Sequence, residues 1–243
     1  MKKLLGMLTG AAAMLLVSYG TGQAAPLPLT LTGPAVANIY GPQSTANPCI
    51  IAATNCQGSP LGYNLFSPNS GASFDRYSNA GSATNIPDGI QGTPYNALAL
   101  AISAGGVTFD VAIDVNTTGN PTERLDLFQV IDTTQNRVLY QYTGPTSLVP
   151  INNNGNGFGD WLLSSISLTG IGVLATDGIL FRAVWANAVD GGESFFIVNG
   201  RGGTGPELFD VPGETPIPGA VWLFASGLGI GGAFLRRRRR KEV

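Results

Sequence analysis

Carboxylates and side-chain amides are the groups in this chain whose spacing could do chemistry. Residues 151–161 read Ile-Asn-Asn-Asn-Gly-Asn-Gly-Phe-Gly-Asp-Trp. Asn152, Asn154 and Asn156 alternate, Gly157 follows and Asp160 stands ninth, an echo of positions 1, 3, 5, 6 and 9 of a calcium-binding loop. The first three are neutral amides, and Leu163 occupies the place where such a loop needs a bidentate glutamate. The stretch is a weak calcium candidate, and an Asn/Gly turn that orients Trp161 is the simpler reading. Hydrolysis by paired acids is the second chemistry to weigh. Asp110 and Asp114 share one strand face four residues apart, roughly 13 Å at strand rise. Glycosidase carboxyl pairs stand about 5–9.5 Å apart. A cross-strand pair such as Asp110 with Asp126 stays open.

The missing residue types narrow the field further. Histidine is absent, and residues 25–217 contain no lysine. Ser-His-Asp, Cys-His and Schiff-base mechanisms therefore have no residues to run on. The expectation is a protein without catalytic residues and without a cofactor, its acids being solvated strand-face groups. The same stretch holds five arginines (Arg76, Arg124, Arg137, Arg182, Arg201) against fourteen carboxylates, a net charge of −9 behind the whole-chain value of −2. Nucleic acid is excluded as a partner, because neutralising phosphates needs basic side chains in number. Neutral glycans and divalent cations remain. Trp161, Trp185 and Tyr142 are the aromatic residues that a sugar-stacking face would use, if they are exposed rather than core.

Cys49 and Cys56 enclose six residues. In an oxidising compartment they are expected to form one disulfide closing a small loop, worth about 2–3 kcal/mol. A metal site there is a poor reading without histidine or a second cysteine pair.

The elements that must position these residues read as β. In residues 106–115, Val107, Phe109, Val111, Ile113 and Val115 share one face; Thr108, Asp110, Ala112 and Asp114 share the other. That alternation predicts a strand with one buried and one wet face. Residues 125–132 and 136–143 read as a hairpin across Thr133-Thr134-Gln135. Residues 161–170, 178–189 and 193–200 supply further strands, the last two joined by a turn at Asp190-Gly191-Gly192. Residues 95–103 could be helix or strand, and strand is favoured. Leu29, Leu31, Val36 and Ile39 could form an edge strand, and the rest of 25–94 reads as long surface loops. Short strands with glycine-rich turns predict an all-β fold, a single jelly-roll-like β-sandwich.

Both ends carry processing signals. Lys2 and Lys3 precede an apolar run over 4–17, and Gly22-Gln23-Ala24 places small residues at −3 and −1 of a cleavage site before Ala25. This pattern predicts a signal peptide over 1–24, read by secretion machinery and signal peptidase. At the other end Pro216-Ile217-Pro218 precedes an apolar segment, 219–235. Arg236, Arg237, Arg238, Arg239, Arg240 and Lys241 follow. Seventeen residues of helix span roughly 25 Å, the lower limit for one crossing. Trp222 suits the outer interface and the arginines the cytoplasmic one. Gly227, Gly229, Gly231 and Gly232 let another helix approach the backbone closely. A short, glycine-studded, basic-ended segment reads better as something a membrane protein recognises than as a permanent anchor.

Pro-x-Pro, one apolar span and a terminal arginine cluster together resemble the PEP-CTERM sorting signal of Gram-negative bacteria. Ile217 stands in place of the glutamate of Pro-Glu-Pro. The stretches "TFDVAIDVN", "LDLFQV", "NNNGNGFGDWLL" and "ESFFIVNG" are similar to sequences found in other PEP-CTERM proteins, over about 106–200. The resemblance implies recognition and removal of the tail by an exosortase, an integral-membrane protease. It also implies a surface or matrix role linked to exopolysaccharide and biofilm, and it carries no catalytic residues. The expected organisation is a signal peptide (1–24), a β-sandwich ectodomain with irregular N-terminal loops (25–211) and a sorting signal (212–243). The expected course is export, transient anchoring in the inner membrane with the C-terminus cytoplasmic, and then cell surface or extracellular matrix. A glycan- or calcium-assisted binding module on the same fold is the alternative, and a glycoside-cleaving enzyme a more distant one.

Overall fold

The computed structural model describes residues 24–34, 40–44, 46–51, 72–78, 92–115, 123–149, 157–188 and 193–211. The strands are β1 (Leu27–Pro28), β2 (Thr30–Thr32), β3 (Cys49–Ile51), β4 (Ala72–Tyr77), β5 (Tyr95–Asn96) and β6 (Thr108–Asp114). After them come β7 (Arg124–Asp132), β8 (Arg137–Ser147), β9 (Trp161–Ser167), β10 (Gly178–Ala188) and β11 (Ser194–Arg201). One helix, α1 (Ala97–Ala104), and a 3-10 turn at Pro206–Leu208 complete the described elements.

Two sheets face each other. The first runs β1-β8-β7-β10-β4, with β5 also against β10; the second runs β2-β9-β6-β11-β3. All pairings are antiparallel except β1 with β8. From β3 onward the chain changes sheet at every strand-to-strand step apart from the β7–β8 hairpin. The fold is an all-β sandwich. Its inner faces are the odd-numbered apolar positions read in the sequence: Phe109, Val111 and Ile113 on β6, Phe195 and Ile197 on β11, and Ile179, Phe181 and Trp185 on β10, all fully buried. Phe128 of β7 stacks on Phe195 of the opposite sheet at 5.6 Å between ring centroids, and Trp185 meets the edge of Phe195 at 5.9 Å. Phe109 meets Phe181 at 6.4 Å across the same gap.

The hairpin forms where expected. Asp132 Oδ1 accepts the Gln135 N–H at 3.0 Å, closing the turn between β7 and β8. The three later strands also stand within a few residues of their predicted spans. Leu29 and Leu31 do belong to edge pairing, but β1 and β2 join different sheets.

Three expectations are corrected. Residues 97–104 form a helix and not a strand. Asn96 caps it, its side chain accepting the Ala99 N–H at 3.1 Å, and Gly105 ends it in the left-handed region at φ 78°. These are the ordinary start and stop devices of a helix. Ala97, Leu100, Ala101 and Ala104 point inward at helical spacing and close one end of the sandwich, while Ile102 stays exposed. The apparent alternation of Leu98, Leu100 and Ile102 was therefore the misleading signal. Next, the region read as surface loops contributes β3 and β4, which complete one edge of each sheet. Last, the outer face of β6 is covered and not wet. Ala112 packs there with Leu162, Phe196, Val198 and Cys49 beneath Tyr40, and Asp110 and Asp114 are only 6% and 5% exposed.

Phe195 touches rings of the facing sheet on both sides, so no neighbour can collapse into its place. Phe195→Ala is expected to cost about 3–5 kcal/mol of folding stability, read from chemical denaturation midpoints at unchanged slope.

Candidate functional site

Helix α1 lies at the end of the sandwich where β6 begins and β11 finishes. At the opposite end the chain gathers buried acids: Asp114 ends β6, Asp160 precedes β9, Glu123 precedes β7 and Glu193 precedes β11. Glu123 and Glu193 are completely enclosed, and Glu123 Oε2 accepts the indole N–H of Trp185 at 3.3 Å.

The Asp114–Asp160 corner is built by two crossing segments, 40–43 and 157–160. Gly159 N–H donates to the Tyr40 carbonyl at 2.6 Å, and Gln43 N–H to the Gly157 carbonyl at 2.8 Å. Asp160 N–H donates to the Ile113 carbonyl at 2.7 Å, and Asp160 Oδ2 accepts the Val115 N–H at 2.9 Å. Asp160 thus extends the β6 ladder with its own side chain. Asp114 Oδ2 accepts the Gly157 N–H at 3.1 Å and the Gln43 amide at 3.0 Å. Asp114 Oδ1 is buried and has no hydrogen-bond partner. A side chain on Gly159 would stand 2.7 Å from the Ala112 Cβ and 2.9 Å from that of Tyr40, so only glycine lets these segments close so tightly. Burial pushes the Asp114 carboxyl up to about 7; the neighbouring Asp160 charge adds to this and the Gly157 N–H opposes it.

Acids elsewhere are differently placed. Asp110 accepts from Ser165 N–H at 2.7 Å and from the Asn199 amide at 3.1 Å, and pairs with Arg201 at 3.4 Å. Asp126 sits on the other sheet and pairs with Arg124 at 2.5 Å. Asp110 and Asp126 are therefore not cross-strand neighbours, and the open carboxylate pair is closed by topology. The acids of the α1 end are also engaged: Asp132 with Arg137 at 3.4 Å, and Asp177 with Gln135 Nε2 and Leu174 N–H, both at 2.9 Å.

The outer face of the first sheet carries a polar ladder across four strands. Asp75 on β4 receives Arg182 of β10 through two contacts of 2.7 and 2.5 Å. Arg182 reaches Gln129 of β7 at 3.4 Å, Gln129 donates to Gln141 of β8 at 2.7 Å, and Gln141 donates to Thr143 at 2.9 Å. Arg182 also lies over the Tyr77 ring, 5.3 Å from its centroid.

The three aromatic residues considered for sugar stacking are core groups, a further correction. Trp185 is fully buried, and Trp161 and Tyr142 are each 8% exposed. Trp161 spends its N–H on the Val149 carbonyl at 3.0 Å, and Tyr142 its hydroxyl on Thr146. In the calcium-like stretch only Asp160 is placed; Asn152, Asn154 and Asn156 lie outside the described residues. Cys49 is buried at the start of β3, no free cysteine stands among the described residues, and Cys56 lies outside them. Ala24 and Ala25 are exposed just before β1. The rest of the 1–24 segment and all of Pro216, Ile217, Pro218, the 219–235 span and the 236–241 cluster lie outside as well. Among the described residues no helix is long and apolar enough to cross a membrane, and no group of three or more acids or cysteines is arranged for a metal.

No family model matches the chain, and neither a curated protein nor a solved structure does.

The raised Asp114 value sets a pH dependence. An unfolded aspartate releases its proton near pH 4 and the folded one near pH 7, so between these values the folded state holds the extra proton. This group's contribution is complete below about pH 4 and is lost as pH rises toward about 7. With chelator present, the melting temperature of Asp114→Asn is expected to gain on that of the unsubstituted protein across this window and then run level with it. A constant gap would show that Asp114 ionises normally.

Proposed function

We propose that this chain is an exported structural protein of the cell surface or extracellular matrix, a PEP-CTERM-type exosortase substrate without catalytic activity. The observation that carries the reading is the three-part tail: Pro216-Ile217-Pro218, the apolar 219–235 span and the 236–241 basic cluster, set opposite a signal-peptide pattern ending at Ala24. Export would leave the 219–235 span in the inner membrane with its arginines inside. An exosortase would then cut the tail away and commit the body to an exopolysaccharide-rich matrix. A Cys49–Cys56 bridge belongs to the same oxidising destination.

The body is consistent with such a role. The order β3-β11-β6-β9 facing β4-β10-β7-β8 is the connectivity of a jelly roll, with β1 and β2 added at the edges. Asp110 and Asp126, the acids available to a hydrolase reading, sit on separate sheets and are each held by an arginine. In cells with an active exosortase, mass spectrometry is expected to find mature protein that begins at Ala25 and lacks residues 236–241. Mature protein that retains Arg236 to Lys241 there would overturn the sorting reading and leave an anchored sandwich.

A second reading, binding of a neutral glycan, is favoured by the ladder from Asp75 to Thr143. A flat row of amides and one guanidinium suits hydroxyl-rich chains, and the acidic body disfavours polyanions. On a glycan array, binding that falls on Gln141→Ala would support it. Silence across neutral glycans would remove it.

A further inference from the structure

Two buried carboxylates meet at the β6–β9 corner, and their oxygens are not equally served. Asp114 Oδ2 takes both nearby donors, the Gln43 amide and the Gly157 N–H. Asp114 Oδ1 is shut away from water, on a residue 5% exposed, with nothing donating to it. A buried carboxylate oxygen in this condition costs free energy that the fold must recover from some positive partner. No arginine of the described ion pairs is placed to supply it: Arg124, Arg137, Arg182 and Arg201 are bound to Asp126, Asp132, Asp75 and Asp110. The Asp160 carboxylate lies beside Asp114 close enough to repel its charge. Two carboxylates with an orphaned oxygen between them ask for a compact cation, and a lone proton would satisfy only one of them.

We infer that the Asp114–Asp160 corner is a site for a hard divalent cation of the calcium class, held by Asp114 Oδ1 and the Asp160 carboxylate. Oxygen donors without histidine or thiolate select calcium or magnesium over zinc or copper. The irregular corner, made by main-chain turns at 40–43 and 157–160, suits calcium's variable geometry better than the strict octahedron of magnesium. Two protein carboxylates leave the remaining positions to water, which places the affinity in the range of extracellular calcium modules, about 0.1–1 mM. The ion would tie segment 157–160 to the end of β6. The inference does not depend on how the tail is processed.

The test uses the full chain in a non-ionic detergent after treatment with chelator. Terbium luminescence sensitised by Trp161, which adjoins Asp160, reports binding at the corner, and calcium competition gives the affinity. The expected result is saturable terbium emission displaced by calcium, weakened about tenfold or more in Asp114→Asn and in Asp160→Asn, and unchanged in Asp126→Asn. In parallel, about 5 mM calcium is expected to raise the melting temperature of the unsubstituted protein by about 2 °C or more. This second measurement decides the matter if an Asp114 or Asp160 variant fails to fold. Absence of terbium emission overturns the site, as does emission that survives both corner substitutions. So does a melting temperature indifferent to calcium, which would leave a proton shared by the two acids as the partner of Oδ1.

Discussion

Phe128 and Phe195 lie ring over ring across the gap between the sheets, and the rest of the sandwich is arranged around that contact. Each ring comes from a strand with neighbours on both sides, β7 between β8 and β10, β11 between β6 and β3. Burying such rings is worth several kcal/mol and their offset stacking adds to it. The contact also sets the relative height of the two sheets. The ends of β6, β7, β10 and β11 are thereby brought level, and the acids just beyond those ends are gathered into one corner region. The position of Asp114 beside Asp160 is a consequence of aromatic packing some residues away.

The two ends of the sandwich differ in how they treat charge. At the α1 end, Asp132 and Asp177 are enclosed but surrounded by donors: Arg137, the Gln135 side chain and main-chain N–H groups. Burial pushes Asp132 up, and Gln135 and Arg137 pull against it. At the far end, Asp114 receives two donors on a single oxygen, and its nearest charged neighbour is another acid. A sheet end built like the first is settled by the chain alone. One built like the second is sensitive to what the solvent contains.

Much of the strand content was legible because period-two alternation is a direct print of one-sided burial. Residues 107–115 and the 125–143 hairpin are examples. The reading failed where burial was two-sided or local signals outweighed period. On β6 the even positions Asp110, Ala112 and Asp114 look like a solvent face, yet segment 40–48 covers them. The clue was on a partner strand: Phe195 and Phe196 are adjacent aromatics on β11, and both faces of that strand must therefore be apolar. In α1 the Asn96 cap and the Gly105 stop were visible in the sequence and stronger than the Leu-Ala alternation between them. Short β3 and β4 carried too little pattern to stand out in a Gly/Asn/Ser-rich region. Asp160 was noticed for its spacing to asparagines, while Asp114 was assigned to water. Their meeting depends on long-range pairing of β6 with β9, which no local pattern encodes.

The strand order also bears on how the chain folds when it is delivered lengthwise, N-terminus first. β11 is the last strand made, yet it occupies an interior place between β6 and β3. Until residues 194–201 arrive, the second sheet has a slot where its penultimate strand belongs, and β6 presents a full row of unpaired peptide groups. An unfilled slot of that kind is a template for any extended segment nearby, including the same strand from a neighbouring chain. Completion of the body is thus tied to the arrival of its final residues, and an emerging chain is most open to strand exchange just before its translocation ends.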